Sequence, residues 1–287
     1  MIAKDAVWFI TGCSKGFGRA LAEQALAAGY RVVATARATS ALDDLVAAHP
    51  DRAVALPLDV TDRAQIATAV AAAKDRFGAI DVLVNNAGYG YLAAIEEGED
   101  EDVRALFATD LFAPIDLIKA VLPDMRARKR GHIVNVSSIG GLVTFPGVGY
   151  YHMVKFGVEA MSETLAKELA PLGVGVTVVA PGAFRTGFRG GDSIRQSSTR
   201  IDDYAETAGR GRANTLAGDG EQQGDPRKGA RAIIAAVEAE RPPVHLLIGG
   251  DALDLFRGRL EAMRRETDAW ETVTRGTDLD EAQAADA

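Results

Sequence analysis

A single cysteine, Cys13, stands in 287 residues, so no internal disulfide can form and a reducing compartment, the cytoplasm, is expected. Histidine is nearly as scarce. His49, His132, His152 and His245 are scattered without metal-ligand spacing, and no metal is expected. Positive charge is in deficit: the formal net charge is −8 and the pI near 5.1, which argues against a surface built to neutralise a nucleic-acid backbone. No apolar run approaches the roughly 18 to 20 residues that span a bilayer. The run after Lys4 and Asp5 is too short for the hydrophobic part of a leader, so no membrane partner is expected. No internal repeat and no second domain can be read.

What is present has the balance of a soluble globular chain, 47% hydrophobic and 25% charged. Short apolar runs alternate with longer stretches of helical period. The runs predict strands at 6–10, 31–35, 54–58, 80–85, 132–137, 174–180 and 244–248. Helices are expected at 17–28, 40–48, 63–77, 100–129, 151–170, 226–239 and 251–269. Most of the strand segments are continuously apolar, as in Val82-Leu83-Val84 and Val176-Thr177-Val178-Val179, which suits strands covered on both faces. The fold class is therefore α/β: one doubly wound, mostly seven-stranded parallel sheet with helices on both faces. Residues 1–271 read as one domain. Within it, 187–225 has no strong period and reads as a long flexible loop with one short helix, placed as a substrate lid. Residues 272–287 read as a frayed acidic tail.

The first apolar run leads into Thr11-Gly12-Cys13-Ser14-Lys15-Gly16-Phe17-Gly18, followed by the helical Arg19-Ala20-Leu21-Ala22-Glu23. Strand, tight turn and helix form the context of a dinucleotide site in a Rossmann fold. Glycines let the backbone approach a pyrophosphate, and the helix start favours its charge. A glycine-rich turn without a ligand remains the alternative for this motif in isolation. The spacing here is Gly-x-x-x-Gly-x-Gly rather than Gly-x-Gly-x-x-Gly.

That spacing is joined by Asp59-Val60, Asn85-Asn86-Ala87-Gly88, Ser138, Tyr151-x-x-x-Lys155 and Pro181-Gly182, in this order along residues 5–250. In these motifs the chain resembles the short-chain dehydrogenase/reductase family, of the NADP(H)-preferring type. The resemblance implies a nicotinamide dinucleotide held by Gly12, Ser14, Lys15, Gly16, Phe17 and Gly18. It places Asp59 and Val60 at the adenine, and Asn86, Ala87 and Gly88 along the nucleotide trough. Turn chemistry alone would also explain that asparagine pair. Pro181, Gly182 and Thr186 fall on the nicotinamide side, where an ordinary loop threonine is the competing reading of Thr186. Cofactor choice has a physical basis at the end of the second strand. An acid there would accept from a ribose 2′-hydroxyl and repel a 2′-phosphate, whereas the chain carries Ala36 and Arg37, with Lys15 as a second cation. NADP(H) is expected, unless Arg37 is only a solvated surface charge.

Tyr151 and Lys155 lie four apart in a predicted helix and project from one face. Hydride transfer to a carbonyl leaves negative charge on oxygen, and a phenol can supply the proton. A tyrosine ordinarily titrates near about 10, and a nearby ammonium draws it down. Ser138 follows the apolar segment Ile133-Val134-Asn135-Val136, where its hydroxyl can donate to the same substrate oxygen. The neighbouring Ser137 and Tyr150 do not fit both spacings. The family resemblance gives Lys155 a second role on the nicotinamide ribose, so Tyr151 and Lys155 count among the cofactor contacts as well. It also marks a departure: the family's asparagine, which holds a water linking the lysine to solvent, is here Asp110.

Apolar residues, among them Tyr89, Tyr91, Phe184 and Phe188, are expected to line a pocket for a small hydrophobic ketone, aldehyde or the matching alcohol. The resemblance implies homodimers or homotetramers through the surfaces of 100–129 and 151–170. Three activities stay open at this level: a carbonyl reductase or alcohol dehydrogenase, a non-catalytic NADP(H)-binding sensor or scaffold, and a lyase or epimerase. Relatives of the last kind usually have another glycine spacing and longer substrate domains.

Overall fold

The computed structural model describes residues 2–190, 193–218 and 220–279. Its main sheet is built from β1 (Val7–Ile10), β2 (Arg31–Ala36), β3 (Ala53–Pro57), β4 (Val82–Asn85), β6 (Gly131–Val136), β7 (Val174–Pro181) and β9 (His245–Ile248). The strand order is β3-β2-β1-β4-β6-β7-β9, and neighbouring strands run parallel. The order reverses between β1 and β4, so a crevice opens beyond the carboxyl ends of those two strands, where such sheets take ligands. The expected Rossmann architecture is thus the one observed.

Successive side chains of each strand enter opposite layers. Trp8 and Ile10 pack with Leu21 and Leu26 of α1 (Gly16–Ala27) and with Ile233 and Val237 of α8 (Pro226–Glu238). Val7 and Phe9 pack on the other side with Ile66 and Val70 of α3 (Arg63–Phe77) and with Leu117 and Val121 of α5 (Ala113–Arg128). Burial on both faces explains why the strand sequences are apolar throughout rather than alternating. The bounds of α3 follow from its ends. The Asp62 carboxylate accepts from the N–H groups of Ala64 and Gln65, at 2.8 and 3.1 Å, and Gly78 closes the helix at φ +87°.

Two expectations about the course of the chain need correction. The segment 100–129 is not one helix: α4 (Asp100–Phe107) passes through a π-helical turn, Ala108–Phe112, into α5. The wider turn carries Asp110 into the interior, where it is buried. Nor is 187–225 a loose loop. It forms β8 (Ile194–Gln196), which pairs in parallel with the short β5 (Gly90–Leu92), then a 3-10 turn, Asp202–Tyr204, a π turn, Ala205–Gly209, and α7 (Arg210–Ala217).

Two carboxylates pin this segment. Glu97 is buried, pairs with Arg212 of α7 and accepts from the N–H groups of Ile201 and Ala94, each at 3.0 Å. Burial alone would raise its pKa, but Arg212 and those N–H groups prevail and hold it at about 2. Glu99 accepts from the N–H groups of Ser198 and Thr199, at 3.0 and 3.2 Å.

The remaining helices are α2 (Asp43–Ala48), α6 (Gly149–Leu169), α9 (Gly250–Ala269) and α10 (Glu271–Arg275). Thr272 to Arg275, expected in a frayed tail, are therefore helical, and residues 280–287 of that tail lie outside the described residues. No helix among the described residues is long and apolar enough to cross a membrane.

Candidate active site

The glycine turn joins β1 to α1 with Gly12 at φ +71° and Gly16 at φ +64°, the left-handed region that side chains with a Cβ resist. Gly18 answers a different need. A Cβ there would overlap the Asn86 side chain and the Gly12 carbonyl. Thr11 locks the turn to the end of β4: its hydroxyl donates to the Val84 carbonyl and accepts from the N–H groups of Asn86 and Ala87, at 2.9 and 3.0 Å. At Lys15, the position before α1, no side chain caps the helix, and no acid occupies the first turn. The first N–H groups of a twelve-residue helix therefore face the crevice without a capping side chain, as an anion site requires.

The other proposed nucleotide contacts divide. Ser14, Lys15 and Arg37 are exposed at this rim, and Arg37 makes no hydrogen bond or ion pair with another described residue. Asn86 braces the turn with its side chain: the amide donates to the Thr11 carbonyl at 2.8 Å and the Gly12 carbonyl at 3.2 Å. Val60 is likewise buried in the layer beneath α3, and the Asp59 carboxylate accepts from the N–H and hydroxyl of Thr61. Phe17 packs against Phe184 in a tilted arrangement with ring centroids 4.9 Å apart, while Ala87 and Gly88 lie beside Gly12 and Asp110 respectively. Pro181 ends β7. Gly182 follows where a Cβ would overlap the Asp251 carboxylate, which accepts from the Ala183 N–H at 2.7 Å. Thr186 comes over the turn, its carbonyl 3.3 Å from where a Gly16 Cβ would stand. Asp251 carries no motif, and sequence reading did not find it.

Ser138, Tyr151 and Lys155 meet beyond the end of β6. The Ser138 oxygen accepts from the Gly140 N–H at 3.0 Å, which leaves its own proton free to donate outward. Lys155 sits on α6 one turn after Tyr151, with Nζ 5.4 Å from the phenol ring centroid. Its ammonium lies 3.2 Å from Asp110 Oδ2 and donates to the Val136 carbonyl at 3.3 Å. The other Asp110 oxygen accepts from the Tyr89 N–H at 3.1 Å, and Gly88 leaves room for this carboxylate, since a Cβ there would come within 2.7 Å of it. Asp110 thus forms a direct, buried ion pair with Lys155.

The electrostatics depart from expectation. Burial raises the Tyr151 pKa above its ordinary value of 10.0; Lys155 and Ser138 pull it down, but Asp110 works against them and the net direction is upward. The ammonium alone would depress the phenol, but burial, the largest influence, raises it and the Asp110 carboxylate adds to that rise. Burial would lower Lys155, yet Asp110 and Tyr151 outweigh it and hold the amine above 10.5, protonated. Asp110 itself is pushed up by burial against the pull of Lys155 and the Tyr89 N–H. The phenol is therefore a proton donor at rest. Cys13 is fully buried, with its thiol pushed up to about 12 by that burial, and takes no part.

Of the expected pocket residues, Phe188 faces Tyr151 with ring centroids 6.2 Å apart, and Tyr89 lies under the Arg195 guanidinium at 4.6 Å. Tyr91 does not line it: the ring is buried and its hydroxyl accepts from the Glu99 N–H at 3.2 Å. Phe184 belongs to the glycine-turn side.

Comparison with known proteins places this geometry. The profile of the short chain dehydrogenases matches residues 6–196. A crystal structure of a short-chain dehydrogenase from Streptomyces avermitilis has 47% sequence identity and a TM-score of 0.90, covering 97% of this chain and 100% of that one. A short chain dehydrogenase/reductase from Burkholderia phymatum, in complex with NAD, has 26% identity and a TM-score of 0.80 over 93% of this chain and 97% of its own. One from Burkholderia cenocepacia, in complex with NADP, has 26% identity and a TM-score of 0.72 over 94% and 98%.

Proposed function

Because this chain belongs to the short-chain dehydrogenase family, we propose that it transfers a hydride between NADP(H) and a small, hydrophobic ketone or aldehyde, or the matching alcohol. One observation carries the reading: a half-buried phenol beside a protonated lysine opens on the same sheet edge as an uncapped helix start behind a glycine turn. Bound across that edge, the nicotinamide supplies or accepts the hydride. The chain's own groups handle the proton. Tyr151 gives its phenolic proton to the substrate oxygen, Ser138 donates to the same oxygen, and Lys155, clamped by Asp110, stabilises the phenolate that remains.

A nicotinamide dinucleotide suits the donors present, and the two Burkholderia relatives hold one each. The 2′-phosphate form is supported by Arg37, which stands exposed at the end of β2 with no acid beside it in the run Thr35-Ala36-Arg37. Replacing Arg37 by alanine is expected to raise the KM for NADPH by about 10- to 100-fold, the worth of a charged hydrogen bond, and to leave NADH nearly unaffected. An unchanged ratio of NADPH to NADH use would reduce Arg37 to a surface charge.

A second reading, an NADP(H)-binding sensor or scaffold without turnover, has the raised phenol and the neutralised ammonium in its favour. Incubation with NADPH and a panel of apolar carbonyls separates the two, since only the enzyme consumes the reduced nicotinamide absorbance.

Self-association through α5 and α6 is supported by apolar side chains those helices leave in solvent: Phe112 before α5, and Met153 and Phe156 on α6, are 54%, 51% and 40% exposed. Sedimentation is expected to show a dimer or tetramer; a monomer at micromolar concentration would end that proposal. A lone buried thiol supports residence in the cytoplasm.

A further inference from the structure

Next to the phenol stands a histidine that the proton transfer does not use. His152 is buried, and both ring nitrogens are committed to the loop between Ser138 and α6. Nδ1 lies 2.7 Å from the Gly140 carbonyl and Nε2 accepts from the Phe145 N–H at 2.9 Å. A carbonyl can only accept and an N–H can only donate, so the ring must be neutral with its proton on Nδ1. The residue held at one end of this bridge, Gly140, is the one whose N–H fixes the Ser138 oxygen at 3.0 Å. Gly140 has to be glycine for the approach, because a Cβ would stand 2.9 Å from Nδ1.

We propose that His152 is a positioning residue. By bridging Gly140 and Phe145 it sets the backbone that aims the Ser138 hydroxyl, and protonation of the ring releases that bridge. The inference rests on the proposed role of Ser138. The imidazolium has two N–H donors, so Nε2 would then face the Phe145 N–H donor to donor, and the loop would lose its second anchor. Burial already resists that state by lowering the His152 pKa below 6.5, opposed by the bond to the Gly140 carbonyl. Charged groups on the elements around the loop are engaged elsewhere: Lys155 of α6 with Asp110, Glu159 of α6 with His245, Asp251 of α9 with the Ala183 N–H, and Arg212 of α7 with Glu97. Tyr151, with ring centroids 6.5 Å apart, is the titratable neighbour.

The sign follows. An unfolded chain takes up this proton near pH 6.5 while the folded one resists it, so loop order and stability fall as pH drops from there through the lower folded value. A misplacement of a reacting group by about 1 Å can cost about 100-fold in rate.

The test measures two variants by two independent readouts. His152→Ala is expected to lower kcat by about 10- to 100-fold, with NADPH affinity within about twofold of the parent, and to expose the Phe145 amide to fast hydrogen exchange. His152→Gln, whose amide both donates and accepts but does not titrate, is expected to recover part of kcat and to lose the acid fall in rate expected of the parent as pH passes the lowered His152 value. Wild-type kcat and a protected Phe145 amide in His152→Ala would overturn the proposal, as would an acid limb that persists in His152→Gln. Amide exchange does not depend on turnover. If Tyr151→Phe stayed active, the reading of the site would fail while the Phe145 exchange still reported whether the bridge exists.

Discussion

Replacing Tyr151 by phenylalanine is expected to lower kcat by about 100- to 10,000-fold, the worth of a placed general acid, while the dissociation constant for NADPH changes little. The ring packs against Phe188 and lies beside His152, so phenylalanine keeps the shape and removes the oxygen. What is lost is the proton that must arrive as charge grows on the substrate oxygen. Ser138 cannot substitute for it, since a hydroxyl of that kind holds its proton far more tightly. Single-turnover absorbance at the reduced nicotinamide band, with NADPH preloaded, isolates the chemical step. Retention of more than about a tenth of parental turnover would remove Tyr151 from the mechanism.

Asp110→Asn tests the departure from the family pattern. The ion pair with Lys155 is closed off, the side chains being 0% and 8% exposed, so removing the carboxylate leaves an ammonium without its counter-charge in a dry site. The cost of breaking such a pair is about 3 kcal/mol, which thermal unfolding would report. The pH dependence changes as well. In the parent, the raised Lys155 pKa contributes stability that is complete below 10.5 and is lost as pH climbs through the higher folded value. Without Asp110, burial lowers Lys155 against only the weaker pull of Tyr151 and Glu159, so the alkaline limb of stability and of kcat moves to lower pH. The raised Asp110 carboxyl works the other way, since its ionisation in the folded chain is disfavoured above its ordinary 3.8. An unchanged melting temperature with an unmoved alkaline limb would show that the pair does no such work. A clear gain in turnover would make the carboxylate a handicap.

The candidate site was legible in so far as its residues are neighbours in sequence. Tyr151 and Lys155 share one helical face, Gly12, Gly16 and Gly18 share one turn, and Ser138 follows one strand; local geometry dictates where each points. Asn86 was placed at the crevice by its motif, while the bracing role of its side chain was not legible. Its motif marks the crevice, but whether its amide meets a ligand or the Thr11 and Gly12 carbonyls depends on a contact across 75 residues. The sign at Tyr151 failed for the same kind of reason. The ammonium is a helical turn away, whereas the burial that chiefly raises the phenol, and the carboxylate that adds to it from a π turn, are set by tertiary packing.

The sequence by itself determined the doubly wound sheet, its strand segments and the edge where chemistry would gather, because burial on both faces demands continuous apolar runs, and the glycine turn demands residues without a Cβ. Only the tertiary structure decided that the 187–225 segment is pinned, that Asp110 neutralises Lys155, and that His152 holds the loop of Ser138. Those outcomes rest on pairings such as Glu97 with Arg212, 115 residues apart, and β5 with β8, three residues each. Charges and short strands gain their energy from the partner and from its exclusion of water, and the partner is chosen by the fold rather than by the residues on either side.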